Sequence, residues 1–209
     1  MLKVWGRNTS SNVQKVMWAL GEMAIVCERI DIGGPFGKNK EAPYLAMNPN
    51  GLVPTLEEED GFLLWESNTI VRYLAAQHKS SLEPADLRTR ANASKWMDWQ
   101  LSVASPAIFP LFWGLVRTPP DKRDPAAIAA GRDKTGEALK IMDAQLAKTQ
   151  FLASDEFSYG DIPIGPIVHR YMALVPPPER APIKHVERWY AAMCARPAFK
   201  EHIVDIPLK

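Results

Sequence analysis

Short apolar runs and helical patterns alternate over the first third of the chain. Residues 2–5 predict a strand, and residues 26–32 predict a second one before the glycine-rich loop 33–37. Between them, Val13, Val16, Met17 and Leu20 share one face of a predicted helix. A βαβ unit of about thirty residues favours parallel strands joined by a right-handed crossover.

A short helix, a hairpin and another helix follow this unit. Residues 41–47 predict the short helix, and Asp60-Gly61 between the apolar runs 53–56 and 62–65 is typical of a β-hairpin turn. Ser67 is a predicted N-cap for a helix over residues 68–76. The order βαβ, short α, ββα is therefore complete by about residue 77.

The remainder of the chain has only helical patterns. Helices are predicted over residues 87–117, 125–148, 159–174 and 183–195, and Pro106 and Pro110 are expected to kink or divide the first. Because mixed α/β composition gives way to all-α composition after a polar stretch, we predict two domains. Their bounds are 1–78 for the α/β domain, 79–86 for a linker and 87–209 for an all-helical bundle.

Composition removes several classes of function. Of the 209 residues, 46% are hydrophobic, and the net charge of +1 provides no overall field for nucleic acid or an anionic membrane. The chain shows no leader pattern and no apolar run of about 18 residues, which predicts a soluble cytoplasmic protein. Cys27 and Cys194 are far apart and the four histidines have no metal-ligand spacing, so neither a metal site nor dithiol chemistry is expected.

Two residue pairs predict a site for a small zwitterionic peptide. Pro54 at the start of a strand cannot donate to the sheet, so an extended ligand could pair with Val53 there, the more so if the Val53-Pro54 bond is cis. Ser67 at a helix start suits a carboxylate, and Glu66 adds a charge for an ammonium group. These features fit the γ-glutamyl-cysteinyl part of glutathione.

The same residues carry a family resemblance. Val53-Pro54, Glu66-Ser67 with Ile70 beyond, and the helical second half resemble the cytosolic glutathione transferases, particularly their bacterial, serine- or threonine-using theta- and nu-like branches. The resemblance implies a thioredoxin-like first domain that binds glutathione as a substrate. It also implies a hydrophobic electrophile site in the helical domain, a homodimer, and a cytoplasmic role in detoxification.

The resemblance places the thiol-activating group near the first helix. There the chain has Ser10, Ser11 and Asn12, with no tyrosine or cysteine. Ser10 is the first candidate by its position, Asn12 is second, and Ser11 is third. Each could instead simply cap the helix. A hydroxyl donor and the helix dipole would both favour a thiolate.

Further candidates rest on the resemblance alone. Lys40 and Asn50 are expected to contact glutathione, and Phe109 and Trp113 to line the electrophile site, although aromatic residues at helical spacing are often core.

Ser158 and Asp161 have the spacing of a capping box, so a structural role is expected for Asp161.

Two alternatives to conjugation stay open. The same scaffold could serve a glutathione-dependent disulfide or peroxide reductase, which Thr9, Ser10 and Asn12 suggest. It could also serve a non-catalytic ligand carrier. The partners expected are glutathione and a small hydrophobic electrophile, with no nucleic acid and no membrane.

Overall fold

A computed structural model describes residues 1–209 and begins with a four-stranded mixed sheet. The strands are β1 (Lys3–Trp5), β2 (Glu28–Ile30), β3 (Thr55–Glu57) and β4 (Leu63–Trp65), in the order β2-β1-β3-β4. β1 pairs with β2 in parallel, while the β1–β3 and β3–β4 pairs are antiparallel. The predicted parallel βαβ unit and β-hairpin are confirmed.

Three helices accompany the sheet, namely α1 (Ser11–Glu22), α2 (Ala42–Met47) and α3 (Ser67–Gln77). Val13, Val16 and Leu20 are buried on one face of α1, as the sequence pattern predicts. The prediction that Ser67 is an N-cap is wrong. Glu66 occupies the cap position with a positive φ of 71°, and Ser67 is the first helical residue.

The second half of the chain is helical, and the predicted fold class, an α/β thioredoxin-like domain followed by an all-helical domain, is confirmed. Its first helices are α4 (Leu87–Trp99), α5 (Ser105–Phe112) and α6 (Pro125–Leu146). They are followed by α7 (Gly165–Leu174), α8 (Lys184–Cys194) and the short α9 (Pro197–Phe199).

π-helical turns, rather than a break, separate α4 from α5 and extend α5 to Arg117. The first of these turns, Gln100–Ala104, comes directly before Pro106. Because a proline ring clashes with the carbonyl four residues earlier, the wider turn accommodates Pro106 without ending the helix. The predicted division of this helix therefore takes the form of a local widening.

The predicted start of one helix at residue 159 is wrong by six residues. Residues 159–164 form turns, and α7 begins only at Gly165. Pro163 and Pro166 lie at this boundary and cannot donate the backbone hydrogen bonds that an earlier helix would need. The terminal segment α9 and the π-helical turn after it had no sequence prediction.

The two halves share one continuous apolar core. Trp18 of α1 is fully buried, and its ring lies 4.7 Å from that of Phe199 and 5.7 Å from that of Phe157. At the same boundary Arg196 donates two hydrogen bonds, of 2.8 and 2.7 Å, to the carboxylate of Glu22. The α/β half is therefore held rigidly against the helical half.

Residues 87–117 form one 31-residue helical stretch that is long and apolar enough, by those criteria alone, to cross a membrane. Ile108, Leu111 and Phe112 in this stretch are buried, and α5 packs against α6. Their burial assigns this helix to the core of the helical half.

Candidate functional site

The segment before β3 presents a free backbone edge. The Val53-Pro54 peptide is cis. The carbonyl of Leu52 accepts hydrogen bonds from the Tyr44 hydroxyl (2.7 Å) and from Asn48 Nδ2 (2.9 Å). The N–H and C=O of Val53, in contrast, bond to no other backbone group. An extended ligand could therefore pair with Val53, as the sequence suggested.

Gly6, at the end of β1, allows α1 to approach this edge closely. A Cβ atom at Gly6 would lie 2.4 Å from Val13 Cγ2 and 3.2 Å from Val53 Cβ. Any larger residue would push the first turn of α1 away from Val53. The β1–α1 loop and the free backbone edge of Val53 therefore lie side by side.

The N-terminus of α3 provides the second part of the site. Glu66 is exposed, makes no intramolecular ion pair, and adopts a left-handed backbone conformation uncommon for a residue with a side chain. Ser67 is buried, and the first N–H groups of the helix have no intrahelical acceptor. Such backbone outliers cluster at ligand-binding positions.

Lys15 is a site residue that the sequence patterns did not identify. Its side chain is 1% exposed, and Nζ donates to Gln100 Oε1 (2.8 Å), Asn68 Oδ1 (3.2 Å) and Ser67 Oγ (3.4 Å). A lysine among apolar helix positions usually extends its ammonium into solvent, so periodicity gave no indication of this burial. Lys15 therefore places a buried nitrogen behind Ser67.

Burial governs the protonation of this lysine. Desolvation is the main cause that lowers the pKa of Lys15 to about 7, with the positive charge of Arg170 acting in the same direction and the negative charge of Glu66 opposing them. No carboxylate bonds Nζ directly. The ammonium form is therefore only marginally stable near neutral pH and would be favoured by an anion bound at Ser67.

The three candidate activating residues occupy the first positions of α1. Ser10 is the N-cap residue, but its hydroxyl makes no capping hydrogen bond, while its backbone N–H donates to Arg7 O at 3.2 Å. Ser10 and Ser11 are half-buried and Asn12 is exposed. Because the Ser10 hydroxyl is not used as a cap, it is free to donate to a ligand.

Lys40 and Asn50 lie together in the loop on the other side of Val53. Lys40 Nζ donates to the carbonyl of Asn50 (2.9 Å), and the Asn50 amide donates to Asn48 Oδ1 (3.1 Å). Both side chains are exposed, and the Lys40 ammonium has donors to spare. They form a polar rim whose contact with a ligand remains a prediction.

Phe109 and Trp113 form an exposed aromatic pair. They are 55% and 51% exposed, and their rings stack with centroids 5.3 Å apart. Residues 109, 113 and 117 recur at the spacing of one helix face, and the charge of Arg117 acts on Arg7 of the β1–α1 loop. The face that carries these rings therefore presents an apolar surface.

Asp161 has the structural position that its motif predicts. It is completely buried, and it accepts hydrogen bonds from Trp189 Nε1 (2.9 Å) and from the N–H groups of Leu152 (3.1 Å) and Ser158 (3.2 Å). Burial raises its pKa to about 6 in spite of these donors. Asp161 fastens three segments of the helical half together.

Comparisons with known proteins identify the family of the chain. Residues 9–77 match the family model for the glutathione S-transferase N-terminal domain, and residues 104–197 match that for the glutathione S-transferase C-terminal domain. The chain belongs to the glutathione S-transferase family, the enzymes that use glutathione as a substrate. The resemblance noted in the sequence is confirmed.

The individual relatives are similar along their whole length. Glutathione S-transferase GstB of Escherichia coli is 43% identical over 214 residues, which cover 100% of both chains. Glutathione S-transferase 3 of Zea mays is 31% identical, covering 99% of this chain and 95% of its own. The glutathione-bound theta-class enzyme of Xanthomonas axonopodis pv. citri superposes with a TM-score of 0.94 at 42% identity, covering 100% and 99% of the two chains.

Proposed function

We propose that this protein binds glutathione between Val53 and α3, activates its thiol as the thiolate, and conjugates it to a small electrophile. The observation that carries the proposal is the presence of three unused groups near Trp5, Thr55 and Trp65, which the strand register brings together at one edge of the sheet. These are the free backbone of Val53, the unpaired Glu66 and the uncapped hydroxyl of Ser10. The glutathione-bound relative supports the identity of the ligand.

Each part of glutathione has a matching partner in this proposal. The cysteinyl backbone pairs with the N–H and C=O of Val53, next to Pro54. The γ-glutamyl carboxylate accepts from Ser67 and the first N–H groups of α3, and the Lys15 ammonium behind Ser67 adds charge. Glu66 holds the amino group, while Lys40 and Asn50 contact the glycyl end.

Ser10 donates to the sulfur in this arrangement. A free thiol with a pKa of about 8.5 is only a few per cent ionised near neutral pH. A charge-assisted hydrogen bond of roughly 1.5 to 3 kcal/mol would lower that pKa by one to two units. Asn12 is the second donor candidate and Ser11 the third, and the positive end of α1 supports any of them.

The electrophile binds beside Phe109 and Trp113. Their exposed faces offer an apolar platform. Hydration of two exposed aromatic rings is unfavourable, so an apolar ligand that covers them gains binding free energy. We further propose a cytoplasmic detoxification enzyme that acts as a homodimer. Its domains are residues 1–78 and 87–209, and residues 79–86 link them.

The first experiment measures binding and turnover together. Calorimetry with glutathione, followed by conjugation of chlorodinitrobenzene, is compared in the wild type, in Ser10→Ala and in Asn12→Ala. We expect binding in all three and a loss of turnover on replacement of the activating residue. Ser80→Ala, a serine-to-alanine change at the domain linker, is the matched control.

Three results would contradict the proposal. Absence of glutathione binding at millimolar concentration would remove its first step. Binding without conjugation would favour the carrier alternative, and faster reduction of a mixed disulfide than conjugation would favour the reductase.

A further inference from the structure

Three arginines of the domain boundary have no hydrogen-bond or ion-pair partner in the chain. Arg7 follows β1, Arg117 ends the π-helical extension of α5, and Arg170 lies in α7. All three are half-buried, and none forms an ion pair or a side-chain hydrogen bond. Arg7 Nε is buried with no hydrogen-bond partner.

The other half-buried arginines have hydrogen-bond acceptors within the chain. Each donates to a carbonyl or a carboxylate oxygen; they are Arg29, Arg72, Arg90, Arg132, Arg180 and Arg196. Of the three boundary arginines, Arg7 also has a buried Nε without a partner, whereas Arg117 and Arg170 have unused donors that are not fully buried. All three guanidinium groups therefore keep donors available for a ligand.

Two of the guanidinium groups share one aromatic ring, and the third lies over the loop that follows β2. The Cζ atoms of Arg170 and Arg117 lie 3.9 and 5.8 Å from the centroid of the same Phe112 ring. Arg7 lies over Gly34, where a Cβ atom would be 2.8 Å from its Nε. Phe112 thus orients two guanidinium groups by cation–π contact, and Gly34 leaves room for the third.

Their charges act on one another without an acid nearby. Burial, together with the positive charges of Arg117 and Arg7, lowers the pKa of Arg170 to about 10; the pKa of Arg7 is lowered by burial and by Arg117. Like charges held together in partial burial are unfavourable unless an anion is bound among them. The cluster is therefore poised to bind an anion.

We propose that Arg7, Arg117 and Arg170 bind the carboxylate of the second substrate, so that the electrophile is a small organic anion. This inference rests on the proposed function. The planar guanidinium fork matches a carboxylate through two parallel hydrogen bonds. Arg7 O accepts from the N–H of Ser10, so Arg7 belongs to the same loop as the residue proposed to hold the sulfur.

The charge also serves the chemical step. In alkylation of glutathione by iodoacetate, the thiolate attacks the methylene carbon, the C–S bond forms, and iodide leaves with the electron pair of the C–I bond. The thiol proton has already passed to solvent. Both reactants are anions and repel each other, and the three arginines offset this repulsion in the partly desolvated cleft.

Iodoacetate and iodoacetamide test the role of the carboxylate, since they differ mainly in that charge. Rates at saturating glutathione are divided by the spontaneous rates, and intact mass checks for alkylation of Cys27 or Cys194. We expect the wild type to accelerate the iodoacetate reaction at least about tenfold more than the iodoacetamide reaction.

Arg170→Gln and Arg117→Gln should each lower kcat/KM for iodoacetate about 10- to 100-fold, the value of one charge-assisted hydrogen bond. They should change kcat/KM for iodoacetamide less than about threefold, because iodoacetamide has no carboxylate for the arginines to bind. KM for glutathione should change equally little, because glutathione does not use this contact. Retained iodoacetamide turnover shows that the variants are folded. Arg88→Gln, an exposed arginine with no partner, is the control for loss of one charge.

The outcomes separate this inference from the proposed function. Equal acceleration of the two compounds, or equal losses with both in the arginine variants, would overturn the anionic substrate while leaving glutathione conjugation intact. A raised KM for glutathione would overturn it too, because the arginines would then bind the glycyl carboxylate. If the protein accelerated the reaction of glutathione with neither iodo compound and did not conjugate chlorodinitrobenzene, both the proposed function and this inference would be overturned.

Discussion

Lys15 Nζ lies 3.4 Å from Ser67 Oγ, and both side chains are buried. Because the same nitrogen also donates to Gln100 of the helical half at 2.8 Å, this contact joins the predicted carboxylate subsite to the domain boundary. Burial lowers the pKa of Lys15 to about 7. An anion bound at Ser67 should therefore change the protonation of Lys15.

We expect proton uptake when a glutathione analogue binds. At pH 8 the buried lysine is mostly neutral, and the arriving γ-glutamyl carboxylate raises its pKa, so Lys15 takes up a fraction of a proton. S-methylglutathione is the ligand of choice because it has no thiol to ionise. Calorimetry in buffers of different ionisation enthalpy measures the uptake.

The control for this experiment is Lys15→Met, which preserves the length of the side chain and removes the titrating group. It should bind more weakly and lose the buffer-dependent part of the heat. Unchanged proton uptake in this variant would assign the effect to another group.

Lys15 should also shape the dependence of stability on pH. Its folded pKa of about 7 lies below the ordinary value of 10.5, so between these pH values the unfolded chain binds more protons. The free energy of unfolding contributed by this group therefore rises with pH across that window. Urea denaturation from pH 7 to 10 should show a steeper rise in the wild type than in Lys15→Met, and parallel curves would contradict the assignment.

Substitutions of Glu66 should separate binding from folding. Glu66→Gln should raise KM for glutathione about tenfold, which corresponds to one modest charge interaction of about 1.4 kcal/mol. Glu66→Gly should raise it similarly without lowering the denaturation midpoint through strain, because glycine readily adopts the φ of 71° found there. A KM unchanged in both variants would place the amino group of glutathione elsewhere.

Asp161 should matter for stability and not directly for chemistry. Asp161→Ala removes an acceptor from three buried N–H donors, and we expect a loss of about 3 to 5 kcal/mol in the free energy of unfolding. Asp161→Asn should cost less, and the exposed Asp133→Asn should cost almost nothing.

The pH dependence of this effect has a definite sign. The folded pKa of Asp161 is raised from 3.8 to about 6, so between these values the folded state binds more protons than the unfolded state. Its contribution to stability therefore falls as pH rises through that window. The Asp161→Asn variant should lack this decline, and a decline that persists would assign it to other groups.

Local patterns were sufficient for the elements that form local contacts. The apolar face of α1 and the Asp60-Gly61 turn depend on residues a few positions apart, and both were predicted. The cap of α3 was not, because the positive φ of Glu66 is imposed by the approach from β4. Tertiary context overrode the intrinsic preference of Ser67 for a cap.

Sequence patterns predicted the residues of the candidate site within the same limit. Val53-Pro54 and Glu66-Ser67 carry their chemistry in adjacent residues, so the sequence identified them. Lys15 and the arginine cluster depend on partners far apart in the chain, such as residues 7 and 170. No pattern along one sequence records which distant residues meet.

Titration of the sulfur in bound glutathione tests the central claim most directly, because the thiolate can be followed by its ultraviolet absorbance as pH is varied. With the wild type we predict an apparent pKa one to two units below that of the free thiol, about 8.5. With Ser10→Ala we predict a return toward that value, while Ser80→Ala keeps the lowered one. A wild-type complex whose bound thiol titrates like free glutathione would contradict the account.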